Sequence, residues 1–210
     1  MIRVDVEQGT PDWFAARCGI PTASRFGDLL TAKTMKLSAS SVGYMYELLA
    51  EHLTGKPKPQ FQNDAMMHGT LTQPEATEYY EMLKGVTVDP IGFALHDSER
   101  FGASPDGLVG EDGQIEIKCP YQNGHMEVLL TGDVPAKHKP QIQGQLLVTG
   151  REWADFISYH PEMPGEIIRV ERDEAYIKAL TDALEGFCDL LDENKAKLRE
   201  RGFEPVQVAA

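Results

Sequence analysis

The spacing of apolar positions changes character along the chain. Between Ser38 and about Thr54, Val42, Met45, Leu48, Leu49 and Leu53 recur every three or four residues, as on one face of a helix, and Gly55 is suited to close it. Upstream, Thr10-Pro11-Asp12 combines a capping hydroxyl, a proline at the first helical position and an acid in the first turn, predicting a short helix to near Gly19. Thr22-Ala23-Ser24 restarts a helix through about Leu30. A loop at Lys56-Pro57-Lys58-Pro59 precedes a further helix over about 67–84, entered through Gly69 and Pro74. From residue 86 the period shortens. Val86-Thr87-Val88, Ile91 to Leu95, Leu108-Val109 and Gln114 to Lys118 predict short strands, with Pro105-Asp106-Gly107 and Glu111-Asp112-Gly113 as turns. Helices over about 124–131 and 135–148, strands over 153–159 and 166–171, and a long helix capped by Asp173 follow. The buried stripe of this last helix is Ile177, Leu180, Leu184, Phe187 and Leu191. With no repeat, linker or boundary, the pattern predicts one mixed α/β domain over residues 1–210, its central β-sheet flanked by helices.

Composition narrows the class. A chain of 210 residues, 41% hydrophobic and 25% charged, can bury a substantial single core, and no tract is biased enough for disorder. No apolar run reaches the ~18 residues of a membrane span, and MIRVDVEQGTPDW lacks the apolar core of a signal peptide, so neither secretion nor a membrane is expected. Cys18, Cys119 and Cys188 are widely spaced and contain no Cys-x-x-Cys. That excludes a disulfide framework or a cysteine-rich zinc site and fits a reducing cytoplasm. The net charge of −13, from 20 basic and 33 acidic residues, argues on its face against nucleic acid. The local field matters more than the sum, however, and Lys33, Lys36, Lys56 and Lys58 fall in one quarter, with Lys137 and Lys139 in another.

Chemistry concentrates at Ser104-Pro105-Asp106-Gly107 and, nine residues after Gly107, at Glu116-Ile117-Lys118. Glu116 and Lys118 are two apart in a strand and project from the same face. A hairpin returns Asp106 beside Glu116. Two carboxylates and a lysine meeting at one point suit metal-dependent phosphodiester hydrolysis: hard oxygen ligands, with the Ile117 carbonyl, hold Mg²⁺ or Mn²⁺, and the ammonium contacts the attacking water or the phosphate. A polar hairpin with solvated charges is the plain competitor. Against it, a charged pair on a strand flanked by Ile115 and Ile117 is costly unless it is used.

The string Ser104-Pro105-Asp106-Gly107 followed by Gly113-x-Ile115-Glu116-Ile117-Lys118-Cys119-Pro120 resembles the core of phage lambda exonuclease and its viral recombinase (YqaJ-like) relatives, within the restriction-endonuclease-like nuclease superfamily. Trp13-x-x-x-Arg17-x-Gly19-Ile20-x-Thr22-Ala23-Ser24 is similar to that family's N-terminal signature, and Gln141-x-Gln143 with Val148-Thr149 to its glutamine motif. Tyr159-His160-Pro161-x-Met163 and Val170 to Glu174 resemble its closing strands and last helix; the similarity covers about residues 5–195. The resemblance implies a restriction-endonuclease-like core in which Asp106, Glu116 and the Ile117 carbonyl hold the metal. Lys118 would orient or deprotonate the water, Gln141 would hydrogen-bond to the assembly, and Arg17, Ser24 and Ser104 would bind a terminal 5′-phosphate. A guanidinium and hydroxyl donors near a helix N-terminus suit such an anion.

One position departs from the family pattern. Where the family has a glutamate four residues after a helix glycine, serving a second metal, Gly69 is followed by Gln73 and then Pro74. His68 is the other candidate ligand from this region, and Glu75 lies about 200° around a helix from Gln73. Met66, beside Met67, could wedge between bases as a duplex is split. The resemblance implies a Mg²⁺-dependent 5′→3′ exonuclease that degrades one strand of linear double-stranded DNA, leaving 3′ single-stranded tails for annealing-type recombination. It also implies a ring-shaped homotrimer, a single-strand annealing protein as partner, and a phage-encoded protein in a bacterial cytoplasm. A restriction-like or flap endonuclease on the same core, and a non-catalytic DNA-end-binding module, are the alternatives.

Overall fold

The computed structural model describes residues 1–30, 38–59 and 63–206. Its centre is a five-stranded mixed sheet in the order β2-β5-β6-β7-β8. The strands are Val88–Asp89 (β2), Gly107–Val109 (β5), Gly113–Lys118 (β6), Trp153–Ser158 (β7) and Glu166–Glu171 (β8). The hairpin of β5 and β6 pairs Gly107 with Ile115 and Val109 with Gly113. β6 and β7 run parallel, from Gly113 opposite Trp153 to Lys118 opposite Ser158. A parallel pair needs a long crossover, and the helices Gln122–Thr131 (α4) and Lys139–Thr149 (α5), joined through a 3₁₀ turn at Ala136–His138, supply it. Placed at mid-sheet and covered on both faces, β6 is buried along its length except at Lys118.

A second sheet, β1-β3-β4, is built from Ile2–Val4, Phe93–Leu95 and Gly102–Ala103. β1 and β4 are additions to the sequence expectation. Strands of two or three residues, one of them exposed at its first two positions, are too short to show an alternating pattern. The other helices are Pro11–Ala16 (α1), Ser41–Thr54 (α2), Asp64–Lys84 (α3) and Glu174–Glu200 (α6). As expected, Thr10 caps α1 by accepting from the Trp13 N–H, and Asp173 caps α6 through the Tyr176 N–H. Leu180, Leu184, Phe187 and Leu191 pack with Tyr44, Met45, Leu48 and Leu49 of α2 in the largest core cluster.

Several boundaries move. The helix predicted from residue 67 begins at Asp64, because the Asn63 side chain accepts from the Met66 N–H and supplies an earlier cap. Pro74 therefore lies inside α3 and not at its entrance. α2 starts at Ser41, and Val42 is 56% exposed; Tyr44, stacked on Phe187 at 5.8 Å, takes its place in the core. The segment Ala23–Asp28 is a 3₁₀ helix. Lys33 and Lys36 lie outside the described residues. Among the described residues, no helix is long and apolar enough to cross a membrane.

α5 lies tight against the 3₁₀ segment at Gly144, where a Cβ would run into the fully buried Phe26 ring. Gly186, on an exposed turn of α6, faces open space. The same substitution should therefore have opposite signs. Gly144→Ala should lower stability by about 1–3 kcal/mol through overpacking. Gly186→Ala should raise it by roughly 0.5–1 kcal/mol through helix propensity. Denaturant midpoints of the two variants, measured with unchanged m-values, check the pair.

Candidate active site

Asp106 ends the turn leading into β5. Its backbone N–H donates to the Ile115 carbonyl, and its Oδ2 accepts from the Ile117 N–H at 2.6 Å. This hairpin geometry sets the carboxylate against the middle of β6, as the spacing predicted. Glu116 and Lys118 share a face of β6, with Lys118 Nζ 2.5 Å from Glu116 Oε1. Glu116 is 1% exposed, and its Oε2 accepts from Gln145 Nε2 at 2.6 Å. Gln73 of α3 reaches in from the other side, its Nε2 donating to Asp106 Oδ1 at 3.0 Å. Asp106, Ile117, Lys118 and Gln73 line a cleft of about 1390 Å³, with Glu116 beneath its floor.

Burial sets the electrostatics. Desolvation, reinforced by the neighbouring Glu116 charge, pushes Asp106 up to about 7, against the pull of Lys118, the Ile117 N–H and Gln73. Burial works against the Lys118 charge, but Glu116 and Asp106 outweigh it and hold its pKa above the ordinary lysine value. Two carboxylates, Asp106 half-buried at the cleft and Glu116 buried, the latter with one oxygen (Oε1) whose partner is the Lys118 ammonium, form a donor set that fits a divalent cation. Among the described residues no group of three His, Cys, Asp or Glu side chains converges. A further protein donor would therefore be the Ile117 carbonyl or the Gln73 amide oxygen.

The other expected residues divide into those brought together and those set apart. Arg17 lies over the Trp13 ring at 3.9 Å and donates to Thr22 Oγ1 at 3.3 Å and Ser24 Oγ at 3.5 Å. The Trp13 indole N–H donates to Ser104 Oγ at 2.9 Å, so Trp13 joins Arg17, Ser24 and Ser104 into one constellation. Burial pulls the Arg17 guanidinium down to about 10, which leaves it charged at neutral pH. Among the described residues it has no carboxylate partner, and Ser104 stands two residues from Asp106. This is a cationic constellation tied by Trp13 to the segment that carries Asp106.

Gln141, expected to hydrogen-bond to the cluster, makes no such bond among the described residues. Gln145, one turn further along α5, makes it instead. Sequence reasoning missed Gln145; the signal was its position four residues after Gln141 on the same face of a helix. The His68 ring is stacked on Tyr121 at 5.1 Å and lies 6.0 Å from His160, its buried Nε2 without a hydrogen-bond partner among the described residues, while Gln73 reaches Asp106. Glu75 accepts from the Tyr159 hydroxyl at 2.6 Å. Met66 lines the cleft and is 45% exposed. Lys58 pairs with Glu47 and Lys139 with Asp173, whereas Lys137 and His138 line the cleft.

Residues 12–152 match the YqaJ-like viral recombinase domain, which spans the Arg17 constellation, both carboxylates and Gln145. An alkaline exonuclease (LHK-Exo) from Laribacter hongkongensis is 39% identical and superimposes with a TM-score of 0.84 over 92% of this chain and 98% of its own. The same protein in complex with dAMP gives 0.83 over the same shares, again at 39% identity. A phage-related exonuclease from Haemophilus somnus 129PT, 13% identical, shares the fold with a TM-score of 0.67 over 85% of this chain and 96% of its own. No curated protein matches. Domain match, sequence identity and the placement of Asp106, Glu116 and Lys118 agree: the chain belongs to the YqaJ-like viral recombinase family of nucleases.

Proposed function

We propose that this single-domain protein is a divalent-metal-dependent 5′→3′ exonuclease that degrades one strand of linear double-stranded DNA and leaves 3′ single-stranded tails for phage-type recombination in a bacterial cytoplasm. The observation that carries the reading is the adjacency of two sites: the Asp106, Glu116 and Lys118 cluster, and the Arg17, Ser24 and Ser104 constellation that begins two residues before Asp106. An anion pocket that near the hydrolytic carboxylates suits a strand end, since it can grip a terminal phosphate while a neighbouring phosphodiester lies over the cluster. The structure of the 39% identical relative with dAMP, a deoxynucleoside monophosphate of the kind exonucleolytic cleavage releases, supports it. The ring-shaped homotrimer and the annealing protein as partner follow from the family resemblance; light scattering of the purified protein tests the trimer.

Asp106, Glu116 and the Ile117 carbonyl would hold Mg²⁺, for which Mn²⁺ can substitute. The ion supplies Lewis-acid stabilisation of the charge that builds on the phosphate, and lowers the pKa of water, during hydrolysis. Lys118, kept protonated by its two acidic neighbours, serves as a hydrogen-bond donor that orients the attacking water or the scissile phosphate. Arg17, held flat by the Trp13 ring, offers its free N–H groups to the terminal phosphate, with the serine hydroxyls alongside. Met66 of α3 and Lys137 of the crossover line the cleft that the strand would enter.

Asp106→Ala and Glu116→Ala should each abolish digestion of 5′-phosphorylated linear duplex in Mg²⁺ while far-UV circular dichroism stays native. A folded Asp106→Ala protein that digests at the wild-type rate overturns the site, and cleavage of closed circular duplex replaces the exonuclease with an endonuclease. Ends bearing 5′-phosphate should be resected faster than 5′-hydroxyl ends. Arg17→Ala should erase that preference, at a loss of about 1.5–3 kcal/mol for a charge-assisted hydrogen bond. Equal rates on both ends, or resection from the 3′ side of an end-labelled duplex, refute the pocket. Because Gln73 is the α3 residue that touches Asp106, Gln73→Glu should add a charged oxygen and lower the Mg²⁺ concentration giving half-maximal rate, whereas His68→Ala should leave it unchanged; titration of Mg²⁺ against rate checks both.

A further inference from the structure

Behind Glu116 the core contains a run of polar side chains that the proposed reaction does not use. Gln114, Gln145 and Thr149 are 0%, 1% and 8% exposed, on the inner face of β6 and the facing side of α5. They form a directed chain. Thr149 Oγ1 accepts from the Arg151 backbone N–H at 3.3 Å and lies 2.9 Å from two acceptors, Gln114 Oε1 and the Gln145 carbonyl. Gln114 turns Nε2 toward Gln145 Oε1, at 3.5 Å. Gln145 in turn presents Nε2 to Glu116 Oε2, the shortest link of the series at 2.6 Å.

Interiors rarely hold such groups, because a buried amide with one unmet hydrogen bond is more costly than an apolar side chain of its size. The carboxylate end sets the polarity: Glu116 Oε2 only accepts, so Gln145 turns Nε2 to it, its Oε1 is left to accept from Gln114 Nε2, and Gln114 Oε1 to accept from the Thr149 hydroxyl. The consequence falls on Glu116. Oε2 is tied back into the protein, and Oε1 is left to the Lys118 ammonium, 2.5 Å away on the residue that lines the cleft.

We propose that the Thr149–Gln114–Gln145 relay is a positioning device that holds Glu116 in the orientation needed to bind the divalent cation, with Gln145 as its acting residue. Gln145 touches neither the cation nor DNA. The inference rests on the nuclease reading, and it makes Gln145, not Gln141, the α5 glutamine on which cation affinity depends. Side chains that hydrogen-bond to a metal-binding group are worth roughly ten- to a hundredfold in metal affinity, and that is the expected size here.

The test is calorimetric titration of the DNA-free full chain with Mn²⁺ at fixed pH, beside Mg²⁺-dependent digestion of linear duplex. Gln145→Met keeps the volume and removes the donor. It should weaken Mn²⁺ binding about ten- to a hundredfold. Its half-saturating Mg²⁺ should rise by the same factor, with turnover restored by excess Mg²⁺ and the KM for DNA unchanged; a merely structural lesion would not be rescued by the ion. Thr149→Val, which leaves Gln145 in place but removes the hydroxyl beside Gln114 Oε1, should weaken binding several-fold, and it decides the matter if Gln145→Met does not fold. Wild-type affinity in a folded Gln145→Met protein, or in Thr149→Val should the other be unfolded, overturns the relay. Glu116→Gln separates the two levels: a wild-type chain that binds no Mn²⁺, or a Glu116→Gln chain that binds it normally, overturns the nuclease site itself. Loss in Glu116→Gln with no change in Gln145→Met overturns the relay alone.

Discussion

Two carboxylates, Glu116 buried and Asp106 half-buried, meet at the floor of one cleft, and the arrangement of the surrounding elements follows from that constraint. Desolvation, with the Glu116 charge adding to it, pushes Asp106 up to about 7, so the pair is costly to hold. The compensation comes from every side. Lys118 is two residues along the same strand, the Ile117 N–H lies between, Gln73 arrives from α3 and Gln145 from α5. Only a central strand with helices on both faces can bring all four to one point. That is why β6 sits mid-sheet and why its parallel neighbour β7 is reached by a helical crossover carrying Gln145.

The rest of the core serves to hold that crossover close. Gly144 allows α5 to approach Phe26 without a side chain in the way, and the residues on either side of it, Gln143 and Gln145, are both satisfied by hydrogen bonds, to the Glu171 carbonyl and to Glu116. The far edge is closed differently. Asp155 of β7, 1% exposed, accepts from the Tyr80 hydroxyl at 2.8 Å and from Arg169 Nε at 2.5 Å, and the Arg169 guanidinium lies over Trp153 at 3.5 Å. This ion pair ties α3 and β8 to the same strand that flanks the catalytic one.

Net charge misleads in this molecule for a physical reason. Several cations at the surface are already neutralised by acids, as in Lys58 with Glu47, Lys139 with Asp173 and Arg100 with Asp189 and Asp192. Arg17, half-buried over the Trp13 ring, has no ion-paired acid among the described residues, and Lys137 lines the cleft. A field is felt locally in a low-dielectric recess, so −13 over the whole chain is compatible with attraction there.

The meeting of Asp106, Glu116 and Lys118 was legible in the sequence because it depends on short-range geometry. A two-residue period places Glu116 and Lys118 on one face whatever the fold, and a Pro-Asp-Gly turn returns Asp106 to its hairpin partner. The capping residues Thr10 and Asp173 and the α6 stripe were legible on the same grounds. What lay beyond reach involved contacts between residues distant in the chain. Whether Gln141 or Gln145 meets Glu116 depends on the rotation of α5 against the sheet, which Gly144 and Phe26 set by packing. Whether Gln73 or His68 faces the carboxylates depends on the roll of α3, which starts three residues earlier than its apolar pattern implied because Asn63 caps it. The chain alone determined that Asp106, Glu116 and Lys118 meet. The tertiary structure decided which amides orient them, because helix rotation is governed by side-chain packing across the whole interface and leaves no periodic mark in the sequence.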